Sequence, residues 1–317
     1  IRTSNFNRWY LVEIINTLSD VWKGNENPFL IYKDAEIRLS DLHRQDTSYL
    51  SQIKQGAVVA LIGDYNPVTI TCLLKLIQLK TIILPLTNDT KLQHSFFFDV
   101  ALVDFIVENG RVEKLKHQKK NVQLEKLKSI GRPGLIAFSS GTTGTPKAIL
   151  YDFTKFVKKF FVRRQAFRSV NFLLFDHVGG LNTMFHTLFS KGTIIVPSNR
   201  KINSIIDCCI KHKVEVLPTT PTFLRLLLMS GYVPERIPPN LKIITYGTEL
   251  MDTPTLSQLC KLLPNVDFRQ TYGVSELGVL RVKSKSRDSL YMKIGGEGVQ
   301  TRIRNSMLEI KTENAME

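Results

Sequence analysis

Apolar residues in this 317-residue chain come in short runs of two kinds, and the two alternate. Continuous apolar runs four to six residues long, rich in Val, Ile and Leu, read as strands buried on both faces; apolar positions spaced three and four apart over ten residues or more read as amphipathic helices. Ala57 to Ile62 is of the first kind, Pro67 to Leu79 of the second with a proline at its start, and Thr81 to Leu86 of the first again. Ala101 to Val107 predicts a further strand, and the charged stretch from Gly110 to Ser129 a surface hairpin or linker. Leu135 to Phe138 follows as a strand. The series then predicts strand Asn171 to Phe175, helix Leu181 to Ser190, strand Thr193 to Pro197, helix Asn203 to Lys211 and strand Val214 to Leu217. Helix Pro221 to Ser230, strand Leu241 to Thr245, helix Pro254 to Leu263 and strand Val266 to Arg269 complete it. Such alternation predicts an α/β fold with mostly parallel sheets covered by helices. From Gly278 onward the runs shorten to Val279–Val282, Leu290–Ile294, Val299–Arg304 and Met307–Lys311 between polar turns, which predicts a small antiparallel barrel or sheet.

Phe153, Phe156, Val157, Phe160 and Phe161 lie at helical spacing. That places the phenylalanines on one face and Lys155, Lys158 and Lys159 away from it, as in a core-docked helix with a solvated outer side.

The richest chemistry lies directly after Leu135–Phe138. Ser139-Ser140-Gly141-Thr142-Thr143-Gly144-Thr145-Pro146-Lys147 combines glycines, hydroxyls and a terminal lysine. Glycines permit positive φ and close backbone approach, hydroxyls and bare N–H groups donate to phosphate oxygens, and the lysine adds a positive charge. The spacing is not that of a Walker A loop, which sets its glycines five apart and its lysine directly after the second. Here the glycines are three apart and Pro146 precedes Lys147.

This string resembles the signature loop of the adenylate-forming superfamily, which includes acyl-CoA synthetases, luciferases and peptide-synthetase adenylation domains. Three further stretches follow in that family's order. Asn171 to Gly180, with Phe175-Asp176-His177-Val178-Gly179-Gly180, resembles its substrate-contact turn; Tyr246-Gly247-Thr248-Glu249-Leu250 resembles the loop along the adenine; Gln270-Thr271-Tyr272-Gly273-Val274-Ser275-Glu276 resembles its Y-G-x-[ST]-E string. The resemblance implies a large N-terminal domain with two α/β/α subdomains and a β-barrel subdomain, divided here near 1–133, 134–277 and 278–317. It implies activation of a carboxylic acid by ATP to an acyl adenylate with release of pyrophosphate. Transfer to the thiol of coenzyme A or of a carrier-protein phosphopantetheine would follow.

Carried over residue by residue, ATP or AMP binding falls on Ser139, Ser140, Gly141, Thr142, Thr143, Gly144, Lys147, Tyr246, Gly247, Thr248, Glu249, Gln270, Thr271, Tyr272, Gly273 and Ser275. Catalysis falls on Lys147, Ser275 and Glu276, with Glu276 holding Mg2+, a hard cation suited to carboxylate and phosphate oxygens. Substrate contact falls on Asp176, His177, Gly180 and Val279. His177 with Gly180 resembles acyl-CoA synthetases. Phe175-Asp176 resembles amino-acid adenylation domains, in which the aspartate pairs with the substrate ammonium; the alternative for Asp176 is a solvent-facing turn cap. A non-catalytic adenylate-binding or carrier-docking module is the second function class. The family's ribose-binding aspartate, hinge and small C-terminal domain with its catalytic lysine match no residue here, so the chain is expected to be the large domain alone.

Net charge is +15. That favours anionic partners through long-range attraction and suits docking of an acidic acyl carrier protein. No zinc-finger, RNP-like or basic-zipper pattern accompanies it, so no specific nucleic-acid recognition is expected. No apolar run reaches the ~18 residues of a membrane span, and the first residues show no apolar signal core. The four cysteines, Cys72, Cys208, Cys209 and Cys260, have no metal-site spacing. They read as reduced structural thiols of a cytoplasmic protein.

Overall fold

A computed structural model describes residues 14–117, 119–139, 144–296 and 298–312 of the chain, with His43 described by its backbone alone. Val58–Ile62 (β3), Ile82–Leu86 (β4), Phe105–Glu108 (β5) and Gly134–Ser139 (β7) run parallel. Arg111–Lys114 (β6) and Lys147–Asp152 (β8) flank them antiparallel, giving a six-stranded sheet of order β6-β5-β3-β4-β7-β8. Every residue of β3 and β4 is buried, as their unbroken apolar composition requires of strands covered on both faces.

The second sheet has seven strands in the order β13-β12-β11-β9-β10-β1-β2. Its members are Leu30–Tyr32 (β1), Ala35–Ile37 (β2), Arg168–Val170 (β9), Thr193–Val196 (β10), Val216–Thr219 (β11), Ile243–Tyr246 (β12) and Asp267–Gln270 (β13). Only β2 is antiparallel to its neighbour.

Helices fill three layers. Ile14–Trp22 (α1), Pro67–Gln78 (α2), Phe153–Lys158 (α5) and Val178–Phe189 (α6) pack in one core between the sheets. His94–Ala101 (α3) and Val122–Ser129 (α4) cover the outer face of the six-stranded sheet. Ile202–Lys211 (α7), Pro221–Met229 (α8) and Thr253–Leu262 (α9) cover the outer face of the seven-stranded one. The result is the expected five-layer αβαβα arrangement. Local signals set the helix starts: Asn66 and Thr220 each accept a backbone N–H from the first turn and are followed by a proline, and Asp252 caps α9 through Thr255 N. In α1, Ile14, Leu18 and Trp22 recur every fourth residue and all are buried; the Trp22 indole N–H donates to Leu188 O at 2.8 Å.

Several expectations are corrected. The approximate boundary at 133/134 does not separate the sheets. β7 and β8 return to the six-stranded sheet, and β1 and β2 from the start of the chain complete the seven-stranded one. Ala101 ends a helix rather than opening a strand, because Leu102 adopts φ +54°, a left-handed turn that stops α3. The stretch 110–129 holds β6 and α4, with Asn121 capping the helix. β9 precedes the expected Asn171–Phe175; that apolar run instead turns out of the sheet, and Phe175 is fully buried against Tyr65, ring centroids 5.4 Å apart. After β13, Tyr272–Val274 (β14), Gly278–Ser284 (β15) and Met292–Gly295 (β16) form one antiparallel sheet. Val299–Arg304 (β17) and Met307–Thr312 (β18) form another, so the expected barrel is not closed among the described residues.

Candidate active site

The two ends of the Ser139–Lys147 string close one antiparallel strand pair. Ser139, last in β7, pairs with Lys147, first in β8, and Lys147 is exposed. Ser140, Gly141, Thr142 and Thr143 lie outside the described residues. Gly144 takes φ +79°, and a Cβ there would meet no atom within 4 Å. The hairpin therefore presents a glycine with room for a Cβ and an exposed ammonium at one end of the six-stranded sheet.

A cleft of about 500 Å³ lies between α6 and the β9-β11-β12 face of the other sheet. One rim is the Gly247–Glu249 loop. Thr271 crosses directly behind it, with both its N–H and its hydroxyl donating to Tyr246 O, at 2.7 and 3.1 Å. A Cβ on Gly247 would sit 2.0 Å from Thr271 Oγ1, so only glycine lets the ends of β12 and β13 meet here. Thr248 adopts φ +69°. Glu249 is fixed by Thr222 at the start of α8, whose N–H and hydroxyl donate to its Oε2 at 2.9 and 2.5 Å. Tyr246 was expected at the nucleotide, but its side chain is buried in the core beneath the loop, because strand alternation turns it inward, and burial pushes its phenol up to about 12. Only its backbone edges this region.

The Tyr272–Glu276 string builds a second hairpin. β14 and β15 are joined by Ser275, Glu276 and Leu277, with Leu277 N donating to Val274 O at 3.0 Å and Gly278 at φ +69°. That is a three-residue loop closed by a left-handed glycine. Gly273 has no room for a Cβ, which would lie 2.8 Å from Gly278 O. Glu276 is exposed at the tip. No cluster of three His, Cys, Asp or Glu side chains able to hold a metal occurs among the described residues. A lone exposed carboxylate still suits Mg2+, which is commonly held by one or two carboxylates together with substrate phosphates. Gln270, at the end of β13, has a buried Oε1 with no partner among the described residues.

The acid-contact residues divide. His177, at the N-terminus of α6, Gly180 and Val279 line the cleft. Gly180 is also required by packing: a Cβ would stand 2.3 Å from both Leu174 O and Tyr65 Oη. Asp176 does not line the cleft. Its Oδ2 accepts from Thr87 Oγ1 at 2.9 Å and Thr90 Oγ1 at 3.3 Å, on the segment after β4 of the opposite sheet, so it is neither turned toward the cleft nor a free solvent-facing cap.

The sequence reading missed several lining residues: Asn182, Thr183 and His186 of α6, Thr219 and Arg269. Polar residues at three- and four-residue spacing along an otherwise apolar helix were the available signal. The protein around His186, with the charges of Arg164 and Lys159, holds its imidazole below the usual range. Lys159 was expected to face solvent. Lys159 keeps helical backbone angles at the end of α5, and its long stem carries the ammonium back over the phenylalanine face. Its Nζ donates instead to Val279 O at 2.8 Å, between the rings of Phe156 and Phe160.

Comparison with known proteins bears on the fold and the family. The protein-family model described as AMP-binding enzyme matches residues 47–310. D-lysergyl-peptide-synthetase subunit 2 of Claviceps purpurea is 30% identical over 156 residues, 47% of this chain and 11% of that protein. Nonribosomal peptide synthetase sidE of Aspergillus fumigatus is 26% identical over 279 residues, 80% of this chain and 13% of its own length. The chain thus spans a small part of these curated relatives. Among solved structures, the N-terminal subdomain of Klebsiella oxytoca NpsA in complex with 3-hydroxyanthranilyl-AMSN superposes with a TM-score of 0.76 at 13% identity, over 96% of this chain and 88% of that one. The o-succinylbenzoate CoA synthetase of Bacillus subtilis does so with 0.71 at 15% identity, over 95% and 70%. A family match running from Thr47 through β17 and into β18 covers the six-stranded sheet, five of the seven strands of the other, the cleft and both hairpins, and the chain belongs to the AMP-binding enzyme family.

Proposed function

We propose that this chain is the large acid- and nucleotide-binding part of an acid–thiol ligase, which activates a carboxylic acid as its acyl adenylate and passes the acyl group to a thiol. The observation that carries this reading is that a single cleft is lined by both the Gly247–Glu249 and Thr271 region expected at the nucleotide and by His177, Gly180 and Val279 expected at the acid. A substrate carboxylate oxygen would attack the α-phosphorus of ATP, the bond to the bridging oxygen would break, and pyrophosphate would leave. The thiolate of coenzyme A or of a carrier phosphopantetheine would then attack the acyl carbonyl, with AMP departing.

The chain's own residues would act by alignment and charge rather than as nucleophiles. Lys147 and the Ser139–Gly144 segment would hold the phosphates, Ser275 would donate to the α-phosphate, and Tyr272 would pack on the base. Glu276 would hold Mg2+, which when bound neutralises phosphate charge. An acid without an α-ammonium suits the cleft better than an amino acid. Glu249 is the one acidic residue among those described as lining it, and Thr222 already holds one of its two carboxylate oxygens. An unpaired ammonium in such a pocket would be costly. Two relatives nonetheless handle carriers by name, including the D-alanine--D-alanyl carrier protein ligase of Bacillus cereus, so a carrier thiol is as suitable an acceptor as coenzyme A.

Calorimetric titration with two hydrolysis-resistant adenylate mimics, one acyl and one aminoacyl, tests the reading. Tight binding of the acyl mimic and weak binding of the aminoacyl one is expected. The reverse order would overturn the choice of acid, and binding of neither to the folded chain would overturn the proposed activity.

A further inference from the structure

The β14–β15 hairpin is gripped from outside its own sheet, on both sides of its tip. Before the tip, the buried Tyr151 near the end of β8 donates its hydroxyl to Ser275 O. Beyond it, Lys159 Nζ donates to Val279 O at 2.8 Å, and Arg281 Nη2 of β15 donates back to Lys159 O at 3.4 Å. The ammonium lies 5.2 Å from the ring centre of Phe156 and 5.0 Å from that of Phe160. The Phe156 ring also reaches the hairpin, since a Cβ on Gly278 would lie 4.0 Å from it. Tyr151 and Lys159 stand on β8 and at the end of α5, the continuation of the hairpin that carries Lys147.

A lysine is an expensive way to fill this space. Burial, with the positive charge of Arg281 adding to it, lowers its pKa to about 7, and no carboxylate among the described residues offsets the cost. The charged and titratable groups around it are Arg281 of β15, His186 of α6, Arg164 beyond α5, and Tyr151 and Asp152 of β8. Asp152 is engaged by Arg132 at 2.9 Å. Simple filling of the gap would be served at lower cost by Met or Leu. A donor on a carbonyl three residues past Glu276 fixes where that carbonyl, and hence the turn, can lie.

We propose that Tyr151 and Lys159 are positioning residues that hold the Ser275–Glu276 turn in register with the Lys147 hairpin, a role that rests on the acid-activating reading above. Hydrogen exchange of residues 272–280 in the full chain tests the tether without reference to activity. Lys159→Met and Tyr151→Phe are each expected to speed exchange there while leaving β12 unchanged, and Lys159→Arg to restore most of the protection. Calorimetry with a non-hydrolysable ATP analogue and Mg2+ should show an affinity loss of about tenfold in Lys159→Met, recovered in part by Lys159→Arg. Unchanged exchange and affinity in folded variants would overturn the proposal. Should Lys159→Met fail to fold, Tyr151→Phe, which removes one oxygen, decides it by the same two measurements. If no analogue binds even the unaltered chain, the functional reading fails, while exchange at 272–280 still decides whether the tether exists.

Discussion

The two hairpins that carry the expected phosphate chemistry are built in opposite ways. In β7–β8, the last described pair before the tip is Ser139 with Lys147, the lysine is exposed, and a Cβ on Gly144 would meet no atom within 4 Å. In β14–β15 the tip is a three-residue loop with a glycine lacking Cβ room beneath it and outside donors on either side. A group that must follow phosphates through a reaction is served by the first design, and a group that must define where the metal and α-phosphate lie by the second. Substitutions should therefore act differently in the two places.

Lys147→Ala should separate function from stability most clearly. A fall of about 10²-fold in adenylate formation is expected, as for loss of one transition-state charge donor, with the melting temperature unchanged because the side chain is exposed. A pyrophosphate-exchange assay beside a thermal melt checks both. Gly273→Ala, in the other hairpin, should lower activity and stability together. Its Cβ would press on the backbone of Gly278 at 2.8 Å, a conflict of about 1–3 kcal/mol readable by denaturant titration. Asp176→Ala should cost about 1 kcal/mol through loss of the Thr87 and Thr90 hydroxyl bonds. It should leave the preference between acyl and aminoacyl mimics as it was; a changed preference would return Asp176 to the acid pocket.

A further prediction is a pH slope. Lys159 has its pKa lowered in the folded chain to about 7 from 10.5, so between those values the unfolded chain binds more protons and stability rises with pH. Thermal melts from pH 7 to 9 should rise in the unaltered protein and flatten in Lys159→Met.

Much of this was legible in sequence, and where it was not the reasons are physical. β3, α2 and β4 carry unbroken or helically spaced apolar residues, and each was placed within a residue or two. α1, β1 and α3 were not read at all: each is short, and their burial depends on partners far away in the chain, such as β10 for β1. The glycine-rich, tyrosine and acid-turn strings were found because their composition is unusual. Asp176 was found but its direction was not, since a turn can aim a carboxylate at either sheet and only Thr87 and Thr90 decide it. Lys159 was misread because periodicity places a Cα on a face and says nothing of where a long, flexible stem carries its ammonium.

The exchange of strands between the sheets also bears on how the chain assembles. β10 cannot complete its pairing until β1 arrives, although Leu30 and its partner Ile194 are separated by most of the chain, and β7 and β8 must return to strands made long before them. Such distant pairings make for slow, late closure. A fragment ending near the midpoint would carry the six-stranded sheet whole, β3 to β8, but the other sheet only as β1 and β2. Trp22 records the moment of closure, because its indole can reach Leu188 O only when the first helix lies against α6; its emission should therefore change in the last phase of refolding.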